Sequence, residues 1–110
     1  MHTILLTQDY FFWSKVDGTA KAVGLKASHA KTLHDIQTAS NGGAIKQVLI
    51  DLRHPDFLET IHYCVNHKIP TIGFVSHMDS TTITAAKSAG CTTVMPKSQF
   101  SMNLAAILQK

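Results

Sequence analysis

The sequence predicts a doubly wound α/β domain in which five parallel strands, in the order 2-1-3-4-5, alternate with helices on both faces of the sheet. Two observations point to it. Apolar runs of strand length, Ile4-Leu5-Leu6, Val48-Leu49-Ile50, Ile72-Gly73-Phe74-Val75 and Val94-Met95-Pro96, recur along the chain with segments of helical period between them. The runs are continuously apolar instead of alternating, which is the pattern of strands covered on both sides.

The first strand is expected over residues 3–8. A helix over residues 10–23 follows, with Phe12, Val16, Thr19 and Val23 at i, i+4, i+7 and i+11 and Gly24 suited to the position past its end. Residues 25–30 form a short second strand, and Leu33, Ile36 and Ala39 mark a second helix that Asn41-Gly42-Gly43 ends. Gln47 to Leu52 reads as a buried strand, after which Pro55 opens a helix carrying Leu58, Ile61 and Val65 on one stripe. Ile69 to Val75 is the fourth strand, and a helix over Ser80 to Ala89 stops at Gly90. Thr92 to Met95 supplies the fifth strand, and Ser98 caps a last helix with Phe100, Leu104, Ile107 and Leu108 on its inner face. No linker or internal repeat interrupts the pattern, so residues 1–110 are expected to form one domain with no appended effector domain.

Composition narrows the function. With 45% hydrophobic and 15% charged residues, the chain can bury a proper core. The ten Lys and Arg residues are scattered singly and the formal charge is only +3, so nucleic acid is not an expected partner. The amino-terminal apolar stretch is too short for a signal peptide or a membrane span, which implies no membrane association and a cytoplasmic location. Cys64 and Cys91 lack metal-type spacing and read as reduced, buried thiols. In the cluster Tyr10-Phe11-Phe12-Trp13, Phe11 and Phe12 are assigned to the core and Trp13 or Tyr10 to packing against a neighbouring helix; Met95 and Met102 read as core filler.

The chemistry gathers at the strand ends. In the flavodoxin-like order the first and third strands are neighbours, and a crevice opens at their carboxyl ends. Asp9 and Asp51 flank that crevice, with Ser76 and Lys97 following the fourth and fifth strands. Two facing carboxylates call for a cation, and Mg²⁺ suits oxygen ligands and a phosphoryl group together. A hydroxyl and an ammonium can hold phosphoryl oxygens, and an aspartate can itself be the nucleophile. His54 and His77 lie near the same edge. However, the seven His residues are dispersed without ligand spacing, which disfavours a transition-metal site. The turn Gln8-Asp9-Tyr10-Phe11 has no glycine to cradle a nucleotide, and neither Asp9 nor Asp51 is followed two positions later by a second acid, as an aspartate-x-aspartate phosphohydrolase requires.

Four segments resemble the receiver domains of two-component response regulators (CheY-like). Asp51-Leu52-Arg53-His54-Pro55 is similar to their aspartate-x-x-methionine-proline segment, and Ile69 to Ser76 to their fourth strand with its terminal hydroxyl. Ala89-Gly90 to Lys97 follows their glycine-to-lysine spacing, and Ile4 to Asp9 matches their first strand with its acidic pair. The resemblance implies that Asp51 is a phosphoacceptor, Asp9 and the main-chain carbonyl of Arg53 are Mg²⁺ ligands with Asp51, Ser76 is the switch hydroxyl and Lys97 the phosphate-contacting cation. It further implies a histidine kinase or phosphotransfer protein as donor, a downstream protein partner, and a signalling module in place of an enzyme.

The chain departs from that pattern at five places, one of which is a segment between Asp51 and Ser76 that is short for the family and implies a trimmed third helix. Gln8 stands where receivers carry the first acid of the pair, so Mg²⁺ is expected to bind weakly. His77 follows Ser76 where the family has a small residue, and narrows the way to Asp51. Val94 replaces the aromatic residue that usually reports the switch hydroxyl. Ser98 follows Lys97 where a proline is usual, and Pro96 lies on its other side, so a different loop path is expected. These departures keep a second reading open, a pseudo-receiver that binds protein partners without phosphorylation.

Overall fold

Strand-length runs and helical segments alternate in space as they do in sequence. A computed structural model describes residues 2–77 and 79–110 of the 110-residue chain. Its elements are β1 (His2–Leu6), α1 (Tyr10–Ala22), β2 (Ala27–Ala30), α2 (Leu33–Asn41), β3 (Ile45–Asp51), α3 (Phe57–Asn66), β4 (Thr71–Val75), α4 (Ser80–Ala89), β5 (Thr93–Pro96), α5 (Lys97–Met102) and α6 (Leu104–Gln109). The five strands form one sheet of order β2-β1-β3-β4-β5, and every neighbouring pair is parallel.

Successive side chains of a strand point to opposite faces, and the core divides accordingly. Ile4, Leu6, Val48 and Ile50 pack with Ile36 of α2, Ile61 and Cys64 of α3 and Ala86 of α4. Leu5, Leu49 and Phe74 pack on the other face with Phe12, Val16 and Ala20 of α1, Phe100 of α5 and Leu104, Ile107 and Leu108 of α6. Phe74 and Phe100 stack at 4.4 Å between ring centroids, with Phe12 tilted against Phe74 at 5.1 Å. The two helix layers make the domain doubly wound. Among the described residues, no helix is long and apolar enough to cross a membrane.

Several expected details differ. The last helix divides into α5 and α6 at Asn103, where the side-chain amide donates to the Gln99 carbonyl at 2.9 Å beside the main-chain bond that the Asn103 amide makes to the same carbonyl at 3.1 Å. Ser98 does not cap it; Pro96 holds the extended N-cap position, and Lys97 opens α5. Pro55 lies in the turn before α3, which starts at Phe57. The inward stripe of α3 is Phe57, Ile61 and Cys64, so Leu58 and Val65 face outward; a stripe containing a cysteine is hard to see by apolar residues alone. On α1, Ala20 takes the inner place assigned to Thr19 and Val23. Phe11, one residue from Phe12 and so about 100° around the helix, is 91% exposed and not in the core. Met102 is likewise exposed and fills no core space, whereas Met95 packs against the Phe74 layer.

The carboxyl-terminal helix is tied down from β3. The Lys46 ammonium donates to the Leu108 carbonyl at 2.8 Å, and Gln47 Nε2 donates to the Ile107 carbonyl at 2.9 Å and to Thr3 Oγ1 at 3.1 Å. These bonds satisfy carbonyls that a helix end leaves without partners. Both cysteines are free and buried, and burial pushes the Cys64 thiol up to about 12, as fits an inert core residue.

Gly90 sets the path from α4 into β5. Its φ is +104°, and a Cβ placed there would lie 2.8 Å from Val65 Cγ2. Gly90→Ala should therefore cost about 1–3 kcal/mol in urea unfolding. Adding Val65→Ala should recover only the part due to the clash, because the backbone conformation stays unfavourable for alanine.

Candidate functional site

Pairing of Leu6 with Ile50 in the β1–β3 ladder sets the residues that follow β1 beside Asp51, the last residue of β3. A cleft of about 270 Å³ opens there, lined by Gln8, Asp9, Asp51, Arg53, His54 and Lys97. The carboxylate of Asp51 is held at both oxygens. The Arg53 amide N–H donates to Oδ1 at 3.0 Å, and the Thr7 hydroxyl donates to Oδ2 at 2.8 Å. Thr7 is fully buried; its Oγ1 accepts the Asp9 amide N–H at 3.1 Å, and its carbonyl accepts from His29 Nε2 at 2.8 Å. Sequence reasoning passed over Thr7. The register of the two strands is the signal that would have found it, since one step beyond Leu6 lies opposite one step beyond Ile50.

Asp9 serves two elements at once. As N-cap of α1, its Oδ1 accepts the Phe12 amide N–H at 3.1 Å, and its Oδ2 lies 3.6 Å from Lys97 Nζ. The Phe12 amide holds the carboxyl below its ordinary range, against partial desolvation, and the Lys97 charge adds to the effect. Lys97 arrives from β5 as the first residue of α5, its Nζ 4.4 Å above the Phe12 ring centroid. The altered sequence around it, with Pro96 before and Ser98 after, still delivers the ammonium into the cleft.

Ser76 and His77 fall elsewhere. With Asp79 they line an adjoining depression of about 420 Å³ that shares Arg53 with the first cleft. Both are exposed, and among the described residues Ser76 makes no hydrogen bond to Asp51. Asp79 is occupied as the N-cap of α4, and its bonds from Thr82 Oγ1 and the Thr81 amide lower its carboxyl. His54 is buried with both ring nitrogens committed: Nδ1 accepts the Asp56 amide at 2.9 Å and Nε2 donates to the Lys31 carbonyl at 2.6 Å. It fastens the β3–α3 turn to the β2–α2 turn, and so has no lone pair for a metal. The structure thus gathers Gln8, Asp9, Asp51, Arg53 and Lys97, and sets Ser76 and His77 beside them.

The donor set suits a hard cation. Asp9, Asp51 and the Arg53 main chain offer oxygens only, and each engaged carboxylate oxygen retains a further lone pair. Among the described residues, no group of three or more His, Cys, Asp or Glu is placed to hold a metal ion. Two carboxylates without a third fit an ion that keeps most of its waters, such as Mg²⁺, better than one needing a full protein cage.

No family model and no curated protein matches the sequence. Solved structures do match in fold. The phosphorylated cyanobacterial phytochrome response regulator RcpA superposes with a TM-score of 0.81 at 13% identity, over 97% of this chain and 91% of that one. The signal receiver domain of the response regulator NarL from Mycobacterium tuberculosis gives 0.80 at 11% identity, over 98% and 92%. An atypical orphan response regulator, described as regulated independently of phosphorylation, gives 0.81 at 14% identity, over 99% and 92%. The chain has the fold of a response-regulator receiver domain. At these identities the likeness speaks for the fold, and the site has to be argued from its own residues.

The cap role of Asp9 is testable apart from any chemistry. Asp9→Ala should lose about 1 kcal/mol of stability at neutral pH, and Asp9→Asn, which can still cap, much less. Because the folded carboxyl is depressed, its contribution is present above the unfolded value of about 3.9 and fades as pH falls through the lower folded value. The stability gap between wild type and Asp9→Ala in urea unfolding should accordingly close in acid.

Proposed function

We propose that the domain is a receiver module of two-component signal transduction in which Asp51 accepts a phosphoryl group from a phosphohistidine donor, a kinase or phosphotransfer protein, in a cytoplasmic pathway. The observation that carries this reading is the single cleft shared by the Asp51 carboxylate, the Asp9 carboxylate and the Lys97 ammonium. One Asp51 oxygen attacks phosphorus as the bond to the donor nitrogen breaks, and the leaving imidazole keeps the electron pair. Lys97, tethered by Asp9, places positive charge where negative charge gathers on the phosphoryl oxygens. The Arg53 amide fixes the attacking carboxylate. Ser76 stands at the neighbouring rim to meet the transferred group. Mg²⁺, when bound by Asp9, Asp51 and the Arg53 main-chain carbonyl, neutralises further charge, and Gln8 leaves it one carboxylate short. The product is an altered protein surface and not a released chemical, so the module signals to a downstream protein and is not an enzyme. Nucleic acid and membrane are not among its proposed partners.

A second reading, a pseudo-receiver that engages protein partners without phosphorylation, is favoured by Gln8 and by the absence of a Ser76–Asp51 bond. One experiment separates the two. The protein is incubated with acetyl phosphate and millimolar Mg²⁺ and followed by intact mass. Phosphoacceptor function predicts one phosphoryl adduct, absent in Asp51→Asn and formed about a hundredfold more slowly in Lys97→Ala. An unmodified mass under those conditions would decide for the pseudo-receiver.

A further inference from the structure

We propose that Thr7 is the hydroxyl that senses the state of Asp51, and that it passes that state to His29 and Trp13 on the α1–β2 side of the domain. This rests on the reading of Asp51 as phosphoacceptor. The bonds that support it run unbroken. The buried Thr7 hydroxyl donates to Asp51 Oδ2 at 2.8 Å, while the same residue's carbonyl accepts from His29 Nε2 at 2.8 Å. The His29 ring is stacked on Trp13 at 5.2 Å and 15° between planes, and the Tyr10 ring meets it edge-on at 5.4 Å. On the opposite side, Ser76 lines a separate depression and, among the described residues, makes no hydrogen bond to Asp51.

Phosphoryl transfer changes what Thr7 can bond to. The free carboxylate shares its charge over two good acceptor oxygens. Once the O–P bond has formed and the donor has left with its electron pair, one oxygen is a bridging atom, a poor acceptor. The other is a neutral carbonyl, and the charge has moved to the phosphoryl oxygens. The hydroxyl of Thr7 is thereby drawn from Oδ2 toward the phosphoryl group. Because Thr7 Oγ1 also accepts the Asp9 amide, the turn over residues 7–9 has two arrangements, one for each partner of the hydroxyl. Moving between them shifts the Thr7 carbonyl and with it the ring of His29.

Trp13 is the one tryptophan, so its emission reports this cluster alone. Acetyl phosphate with Mg²⁺ should change Trp13 emission in wild type. Thr7→Val should still gain the adduct by intact mass yet lose the emission change, and Thr7→Ser should restore it. An adduct with no Trp13 response, or a response that persists in Thr7→Val, would overturn the proposal while leaving Asp51 as acceptor. A wild type that takes no adduct would refute the acceptor role itself. The relay is then decided by Asp51→Asn, which removes the charge directly. A change in Trp13 emission that Thr7→Val suppresses supports the relay, and unchanged emission rejects it.

Discussion

Parallel pairing of β1 with β3 is the constraint on which the site depends. Leu5 lies against Leu49 and Leu6 against Ile50, all four fully buried, and a slip of one residue would turn each to the wrong face. That register is what brings Thr7 to Asp51 and Asp9 to the same cleft. The cores on the two faces therefore fix the chemistry at the edge: Ile4, Leu6, Val48 and Ile50 lock one side, and Leu5 and Leu49 the other. Movement of either strand along its axis would separate the two aspartates by about 3.3 Å for every residue.

Charge at the edge is arranged in pairs. Asp9 spends one oxygen on the start of α1 and presents the other to Lys97, which arrives from the far side of the sheet by way of β5. Phe12 joins these parts, its amide on Asp9, its ring under the Lys97 ammonium and its body in the Phe74–Phe100 stack. The lysine is thus positioned by the same residue that anchors α1 to the core. Asp51 is instead bonded by neutral donors, the Arg53 amide and the Thr7 hydroxyl. Gln8, exposed at the rim, adds an amide where a third carboxylate would have raised the demand for a cation.

Much of this was legible from residue pattern. Continuous apolar strands announced a covered parallel sheet, and a polar residue at the end of each placed Asp9, Asp51, Ser76 and Lys97 at one edge. What stayed hidden depended on side-chain direction. Ser76 and His77 share the edge with Asp51 yet face a separate depression, a matter of loop path that spacing does not encode. Thr7 reads as an interior residue of the expected first strand, and only strand register reveals its partner. His54 resembles a surface histidine but is buried by two main-chain bonds, one from a residue two positions ahead and one to Lys31 on another turn. The inward face of α3 was misread because Thr60 and Cys64, both buried, are weak marks of a core stripe.

The central claim is that Asp51 and Lys97 act on one phosphoryl group within the cleft between β1 and β3. A crystal structure of the protein grown with beryllofluoride and Mg²⁺ tests it most directly. The account predicts a beryllofluoride group bonded to an Asp51 oxygen, with Lys97 Nζ drawn from Asp9 to within hydrogen-bond reach of a fluoride. An unmodified Asp51 under saturating beryllofluoride, or an adduct with Lys97 turned to solvent, would contradict it.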